Sequence, residues 1–131
     1  MEHALDIAML SSLGTTVATL GVGRYALPVR FRISGRAVEC RVPVWVSITE
    51  LIAEAGEVTL VAATEVCSEL RWLFVRGPAS IVDDPDWTGL APRLPARAAL
   101  AELYQVVRVA PRRIELIDER RGWGYRETAD F

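Results

Sequence analysis

Short apolar and β-branched runs, alternating with polar residues most clearly in Tyr25–Ile33, predict strands through most of this chain. Thr15–Leu20 is rich in β-branched residues, and the Gly21-Val22-Gly23 punctuation turns it into a second run, Tyr25–Ile33, forming a hairpin. In that second run Leu27, Val29, Phe31 and Ile33 alternate with Pro28, Arg30 and Arg32, so one face is apolar and the other presents two guanidinium groups. Pro28 points to an edge or a bulge. Ser34-Gly35 turns the chain into Arg36–Val42, a third antiparallel strand that ends at Pro43-Val44-Trp45. Val58–Thr64 reads as a buried strand, and Arg71–Val82 as another with a bulge at Gly77-Pro78. Tyr104–Val109 and Arg113–Asp118, separated by Ala110-Pro111-Arg112, form a closing antiparallel pair, followed by an irregular tail.

Helical spacing is confined to three short stretches. Ala4, Leu5, Ala8 and Met9 predict a leading helix that stops near Gly14. Ser47-Ile48-Thr49-Glu50 has the capping-box pattern and Gly56 stands at a C-cap, which bounds a helix of about two turns. Pro95 opens a third helix running to about Leu103. Seven strands and three short helices without a repeat or a linker predict one domain over 1–131: a mainly β protein, an antiparallel barrel with short flanking helices.

Composition then removes whole classes of function. All 15 basic residues are Arg, so no lysine is available for Schiff-base chemistry. The sole histidine, His3, lies near a terminus, which argues against a Ser-His-Asp triad or a Cys-His pair, and Cys40 and Cys67 lack the spacing and the histidines of a zinc site and cannot form a disulfide framework. No metal site is expected, and Asp83-Asp84-Pro85-Asp86 reads as a turn rather than a calcium loop because it lacks spaced ligands and a terminal glutamate. A net charge of −2 without a basic run argues against nucleic acid. The longest apolar stretches fall far short of the roughly 20 residues that span a bilayer, and Met1-Glu2-His3 has no basic leader. The expectation is a soluble, cytoplasmic, unprocessed chain.

Four stretches in this order resemble the pyridoxamine 5'-phosphate oxidase-like, FMN-binding split-barrel family. Leu13–Thr19 is similar to that family's opening strand, and Pro28-Val29-Arg30-Phe31 with Ser34-Gly35 to its second strand and turn. Trp72–Ala79 leading to Asp83-Asp84-Pro85 resembles a wall strand, and Val107–Leu116 the closing hairpin. The resemblance covers nearly the whole chain. It implies a six- to seven-stranded antiparallel split barrel of Greek-key type, a homodimer, and flavin mononucleotide (FMN) held in grooves at the dimer interface. Family members oxidise or reduce small molecules with flavin; some use the deazaflavin F420, some bind haem, and some have no known activity. Fold alone does not select among these.

In that family the flavin phosphate is held by Arg or Lys on the second and third strands and by a cluster opening the next helix. The matching positions here are Arg30, Arg41, Ser47 and Thr49. A guanidinium grips phosphate bidentately, and a helix N-terminus supplies amides and hydroxyls. Trp123 and Arg126 in the glycine-flanked tail either reach the partner subunit's groove, setting an aromatic face and a cation against the ring system, or serve dimer packing alone. Trp45 and Trp72 are read as core or interface aromatics. No catalytic side chain is identified, since flavin carries its own chemistry. The reading is an FMN- or F420-dependent oxidoreductase acting on a small molecule. The alternative is a flavin-free split-barrel dimer that binds a small molecule or is structural, prompted by the absence of a cation in Ser47–Glu50.

Overall fold

The structure is a computed structural model that describes Leu10, residues 13–91 and residues 97–131. The expected leading helix and Pro95 lie outside the described residues, apart from Leu10. The strands are β1 (Val17–Val22), β2 (Tyr25–Ser34), β3 (Ala37–Pro43), β4 (Glu57–Val66), β5 (Glu69–Ile81), β6 (Tyr104–Val109), β7 (Arg113–Asp118) and β8 (Arg126–Asp130). Helix α1 (Ile48–Ala55) joins β3 to β4, and α2 (Arg97–Leu103) leads into β6. No helix among the described residues is long and apolar enough to cross a membrane.

All strands belong to one antiparallel sheet in the order β4-β1-β2-β3-β6-β5-β7-β8, and a further pairing of β4 with β5 closes six of them into a barrel. Strand β4 returns beside β1, giving the spatial order 4-1-2-3 of a Greek key. Alternation fixes the register: Ala18, Leu20, Val29, Phe31, Val38, Cys40, Val42, Leu60, Leu73, Val75, Val107, Ile114 and Leu116 all point inward and are buried. Each large apolar side chain taken from water in this way contributes about 1.5–3 kcal/mol.

The split arises on β5. One edge of this 13-residue strand pairs with β4 from Glu69 to Pro78 without interruption. The other edge serves β7 over Arg71–Arg76 and β6 over Ala79–Ile81. Gly77 stands where the partner changes. A Cβ there would lie 1.8 Å from the Ala110 carbonyl oxygen, because the β6–β7 connection crosses directly over it. The amides of Ala110 and Arg112 bond to the carbonyls of Pro78 and Arg76, so the crossing is fastened on both sides of the glycine. The bulge expected at Gly77-Pro78 is therefore a change of partner instead.

Two further expectations are corrected. The tail is not irregular: a 3-10 turn (Glu119–Arg121) leads into β8, which pairs with β7 from Arg113↔Asp130 to Ile117↔Arg126. The capping box does not form. Ser47 adopts a left-handed conformation (φ 57°) between a 3-10 turn (Val44–Val46) and α1, and its exposed side chain makes no cap bond. The turn hands over to the helix through backbone bonds from the Glu50 and Leu51 amides to the Ser47 carbonyl, so the hydroxyl is turned away from the amides it was expected to cap. Gly56 does terminate α1, with φ 80° and its amide bonded to the Ile52 carbonyl.

Candidate functional site

Residues that face outward from β2, β3 and β6 lie under a second, smaller apolar cluster. Trp87, Leu90, Ala91 and Leu100, from the segment after β5 and from α2, pack on Val106 of β6. Two rungs of charged side chains run across these strands, tied to the covering segment by bonds from Arg32 to the Thr88 carbonyl and from Arg41 to the Leu90 carbonyl.

On the first rung Arg32, Glu39 and Arg108 stand directly opposite one another on β2, β3 and β6. Glu39 is 2% exposed, yet both its oxygens are satisfied. Arg32 donates from Nε and Nη2 to Oε1 at 2.9 and 2.8 Å, and Arg108 from Nε and Nη2 to Oε2 at 3.0 and 2.7 Å. Burial alone pushes the Glu39 carboxyl up, but hydrogen bonds from the two guanidinium groups outweigh it and hold the acid below its ordinary range. Arg32 also donates to the Thr88 carbonyl at 2.6 Å, which ties the covering segment to the barrel. Arg32 is thus a structural residue rather than part of a solvated outer face.

The second rung differs in one respect. Arg30 and Arg41 are directly opposite on β2 and β3, with no carboxylate ion-paired to either among the described residues. Like charges in this position repel. Arg30 donates from Nη1 to the Thr16 hydroxyl at 2.9 Å, while its buried Nε has no hydrogen-bond partner. Arg41 donates from Nη1 to the Leu90 carbonyl at 2.9 Å, and its guanidinium carbon lies 4.5 Å from the centre of the Tyr104 ring. Two opposed cations fixed, among the described residues, by neutral partners form a place suited to an anion.

The other expected residues fall elsewhere. Ser47 and Thr49 are exposed at the start of α1, with Glu50 in its first turn, so this helix start supplies a carboxylate and no cation. Trp45 is 80% exposed and is no core residue. Trp123 is 86% exposed on the Gly122–Gly124 turn, and Arg126 on β8 bonds to Glu115.

Register nevertheless relates Arg30, Arg41 and Arg126. A single outward rung carries Pro28, Thr19, Val61, Phe74, Glu115 and Thr128 across six strands. Two residues further along each strand, Arg30 and Val17 occupy β2 and β1, with Arg41 beside Arg30 on β3. The corresponding places on β4, β5, β7 and β8 are Ala63, Trp72, Ile117 and Arg126. The cations therefore stand at the two ends of an outer face with an apolar middle, where Val17 is 49% and Trp72 37% exposed. A cavity of about 390 Å³ opens there, lined by Val61, Trp72, Phe74, Glu115, Ile117 and Arg126. Outer faces of antiparallel sheets are ordinarily polar, so this one is suited to being covered.

Sequence reading missed Thr16, Leu90 and Tyr104, which hold the two arginines. The Leu90 contribution is a backbone carbonyl, to which residue type gives no clue. Tyr104 stands opposite Pro43 on the neighbouring strand, one step diagonally from Arg41, a relation that needs the β3–β6 register.

Comparison with solved structures places this fold among split barrels. A haem-binding protein from Mycobacterium smegmatis is similar with a TM-score of 0.69 at 15% identity, over 99% of this chain, which spans only 60% of that protein. An FAD-binding protein from the same organism is similar over the full length of both chains, with a TM-score of 0.57 at 19% identity. A Clostridium acetobutylicum protein of the pyridoxinephosphate oxidase family, related to general stress protein 26 of B. subtilis, matches over 97% of both chains with a TM-score of 0.66 at 9% identity. The chain has the fold of the pyridoxamine 5'-phosphate oxidase-like split barrels. No family model matches the sequence, and no curated protein matches it.

Proposed function

We propose that this chain is a flavin-binding split barrel acting as a homodimer, in which FMN lies along the outer face between Arg30–Arg41 of one copy and the Trp72 cavity of the other. The observation that carries this reading is the opposed Arg30–Arg41 pair, which has no carboxylate partner among the described residues, beside a buried Nε that lacks an acceptor there. A phosphate monoester at this pair neutralises the like charges and accepts from the guanidinium groups. The exposed apolar rung of Val17, Trp72 and Ile117 supports burial against a second copy and against a ring system. Arg126 and Trp123, at the far end of that rung and on the turn before it, are then the residues a partner would bring toward the ring.

Bound flavin supplies the redox chemistry, exchanging a hydride with a small molecule. The protein's part is to fix the phosphate through Arg30 and Arg41 and to keep water from the ring with Val61, Trp72, Phe74 and Ile117. FMN is preferred to F420 here only as the simpler phosphate-bearing flavin, and no side chain is assigned as acid or base.

A second reading is favoured by one feature. Glu50 in the first turn of α1 and the unformed cap at Ser47 leave that helix start poor at holding a phosphate. A flavin-free dimer that binds a smaller anion at Arg30 and Arg41 accommodates this. The test is the visible absorbance and fluorescence of the purified protein before and after FMN is added. Uptake with quenched flavin fluorescence supports the first reading, and a colourless protein that leaves the flavin spectrum unchanged removes it.

A further inference from the structure

We infer that Tyr104 is the positioning residue of the anion site: its ring holds the Arg41 guanidinium in place, so that affinity for a phosphate-bearing ligand depends on an aromatic ring that need never touch the ligand. This rests on the reading of Arg30 and Arg41 as the phosphate site.

A long, flexible Arg side chain loses rotamer freedom when it grips an anion, and whatever fixes it beforehand removes that cost from the binding step. Arg41 is fixed at two points. Its Nη1 donates to the Leu90 carbonyl at 2.9 Å, and its guanidinium carbon lies 4.5 Å from the Tyr104 ring centre. The two contacts act on different parts of the group: the carbonyl takes one nitrogen, and the ring takes a face. The edge formed by Nε and Nη2 remains without a hydrogen bond to any described residue, and this edge is the one that meets a phosphate in fork geometry.

Tyr104 is itself well supported. It begins β6 opposite Pro43 of β3 and packs on the cluster of Trp87, Leu90, Ala91, Leu100 and Val106. The same cluster carries the Leu90 carbonyl. Ring and carbonyl are thus set by one packed unit, and the segment after β5 becomes the part of the protein that aims Arg41. Arg30 has a weaker equivalent, a single bond that it donates to the Thr16 hydroxyl just before β1.

The phenolic hydroxyl plays no part in this account, whereas the ring does, which makes the prediction separable from a general packing role. Titrate wild type, Tyr104→Phe and Tyr104→Leu with FMN and with riboflavin, which lacks the phosphate, and record thermal stability of each. Tyr104→Phe should bind FMN as wild type does, and Tyr104→Leu should bind it about 3- to 30-fold more weakly with riboflavin affinity unchanged. Equal FMN affinity in Tyr104→Leu and wild type overturns the inference, as does an equal loss of FMN and riboflavin, which is the mark of a structural residue only. If Tyr104→Leu fails to fold, Tyr104→Met supplies an apolar filler without a ring, and the same comparison decides. A wild type that takes up neither flavin overturns the flavin reading and this inference with it, a result distinct from wild-type binding that the ring does not influence.

Discussion

Arg30 and Arg41 face each other across the β2–β3 ladder with no acid between them, while one step along the same ladder Arg32 faces Glu39 and is bidentate to it. The contrast separates two uses of the same residue type on one surface. Arg32 and Arg108 are consumed by the buried Glu39 and hold the fold together. Among the described residues Arg30 and Arg41 are held by a hydroxyl, a carbonyl and a ring, all neutral, with no carboxylate paired to either.

Removing either arginine of this pair is expected to weaken phosphate recognition. Arg30→Ala and Arg41→Ala should each lower FMN affinity by about 1.5–3 kcal/mol, the scale of a charge-assisted hydrogen bond. Calorimetric titration checks this. Affinity equal to wild type in both variants would remove the arginines from the site.

Glu39→Ala is expected to destabilise the fold by about 3 kcal/mol, because deleting one member of a buried ion pair leaves its partner uncompensated. The half-exposed Arg108 keeps the cost at the lower end of the usual range, since water can reach it. Urea unfolding measures the loss, and a change within error would mean that the triad contributes only alignment.

The same carboxylate sets an acid limit. Glu39 is held below its ordinary range in the folded protein, as is Glu115, chiefly by its hydrogen bond from Arg126. A depressed folded pKa means that the unfolded chain binds more protons in the window between the two values. Stability is then complete above the unfolded value, about 4.3, and declines as pH falls toward the folded ones. Urea midpoints should drop below about pH 4.5, and Glu39→Gln should flatten the decline.

Thiol reactivity divides the two cysteines. Burial, with a smaller contribution from neighbouring Glu39, pushes the Cys40 thiol up to about 12, whereas Cys67 is exposed on the β4–β5 turn. An alkylating reagent at mildly alkaline pH should modify Cys67 alone until the protein is unfolded, as mass spectrometry of the peptides would report. Rapid labelling of Cys40 in the native state would contradict the inward register of β3.

Gly77→Ala should be among the most damaging small changes. The added carbon would meet the Ala110 backbone carbonyl at 1.8 Å, and a backbone atom fastened on both sides cannot yield. A loss at or above about 3 kcal/mol is expected, the upper end for overpacking. Gly21→Ala is the control, since its new carbon would meet the Thr59 hydroxyl, the movable end of a side chain.

Much of the barrel is legible in the sequence because local alternation and turn residues carry it. The pair Tyr104–Val109 and Arg113–Asp118 is observed with the boundaries expected, marked by Pro111 and by strict alternation in the second strand. Strand β8 escaped because Arg126-Glu127-Thr128-Ala129-Asp130 offers only one buried residue, Ala129, and so has no apolar period. The cap at Ser47 failed because a 3-10 turn reaches the helix first and spends the Ser47 backbone on it. The site was legible by half: Arg30 and Arg41 could be named, but what distinguishes them from Arg32 is a carboxylate on another strand, and what orients Arg41 is a carbonyl 49 residues away. Such relations exist only once register is fixed.

The most direct measurement of the central claim is a crystal structure grown with FMN. The account predicts two copies meeting through the Val17–Trp72 face, with the flavin phosphate within hydrogen-bond distance of Arg30 and Arg41 of one copy and the ring against the other. A single copy, or a flavin whose phosphate lies away from both arginines, would contradict it.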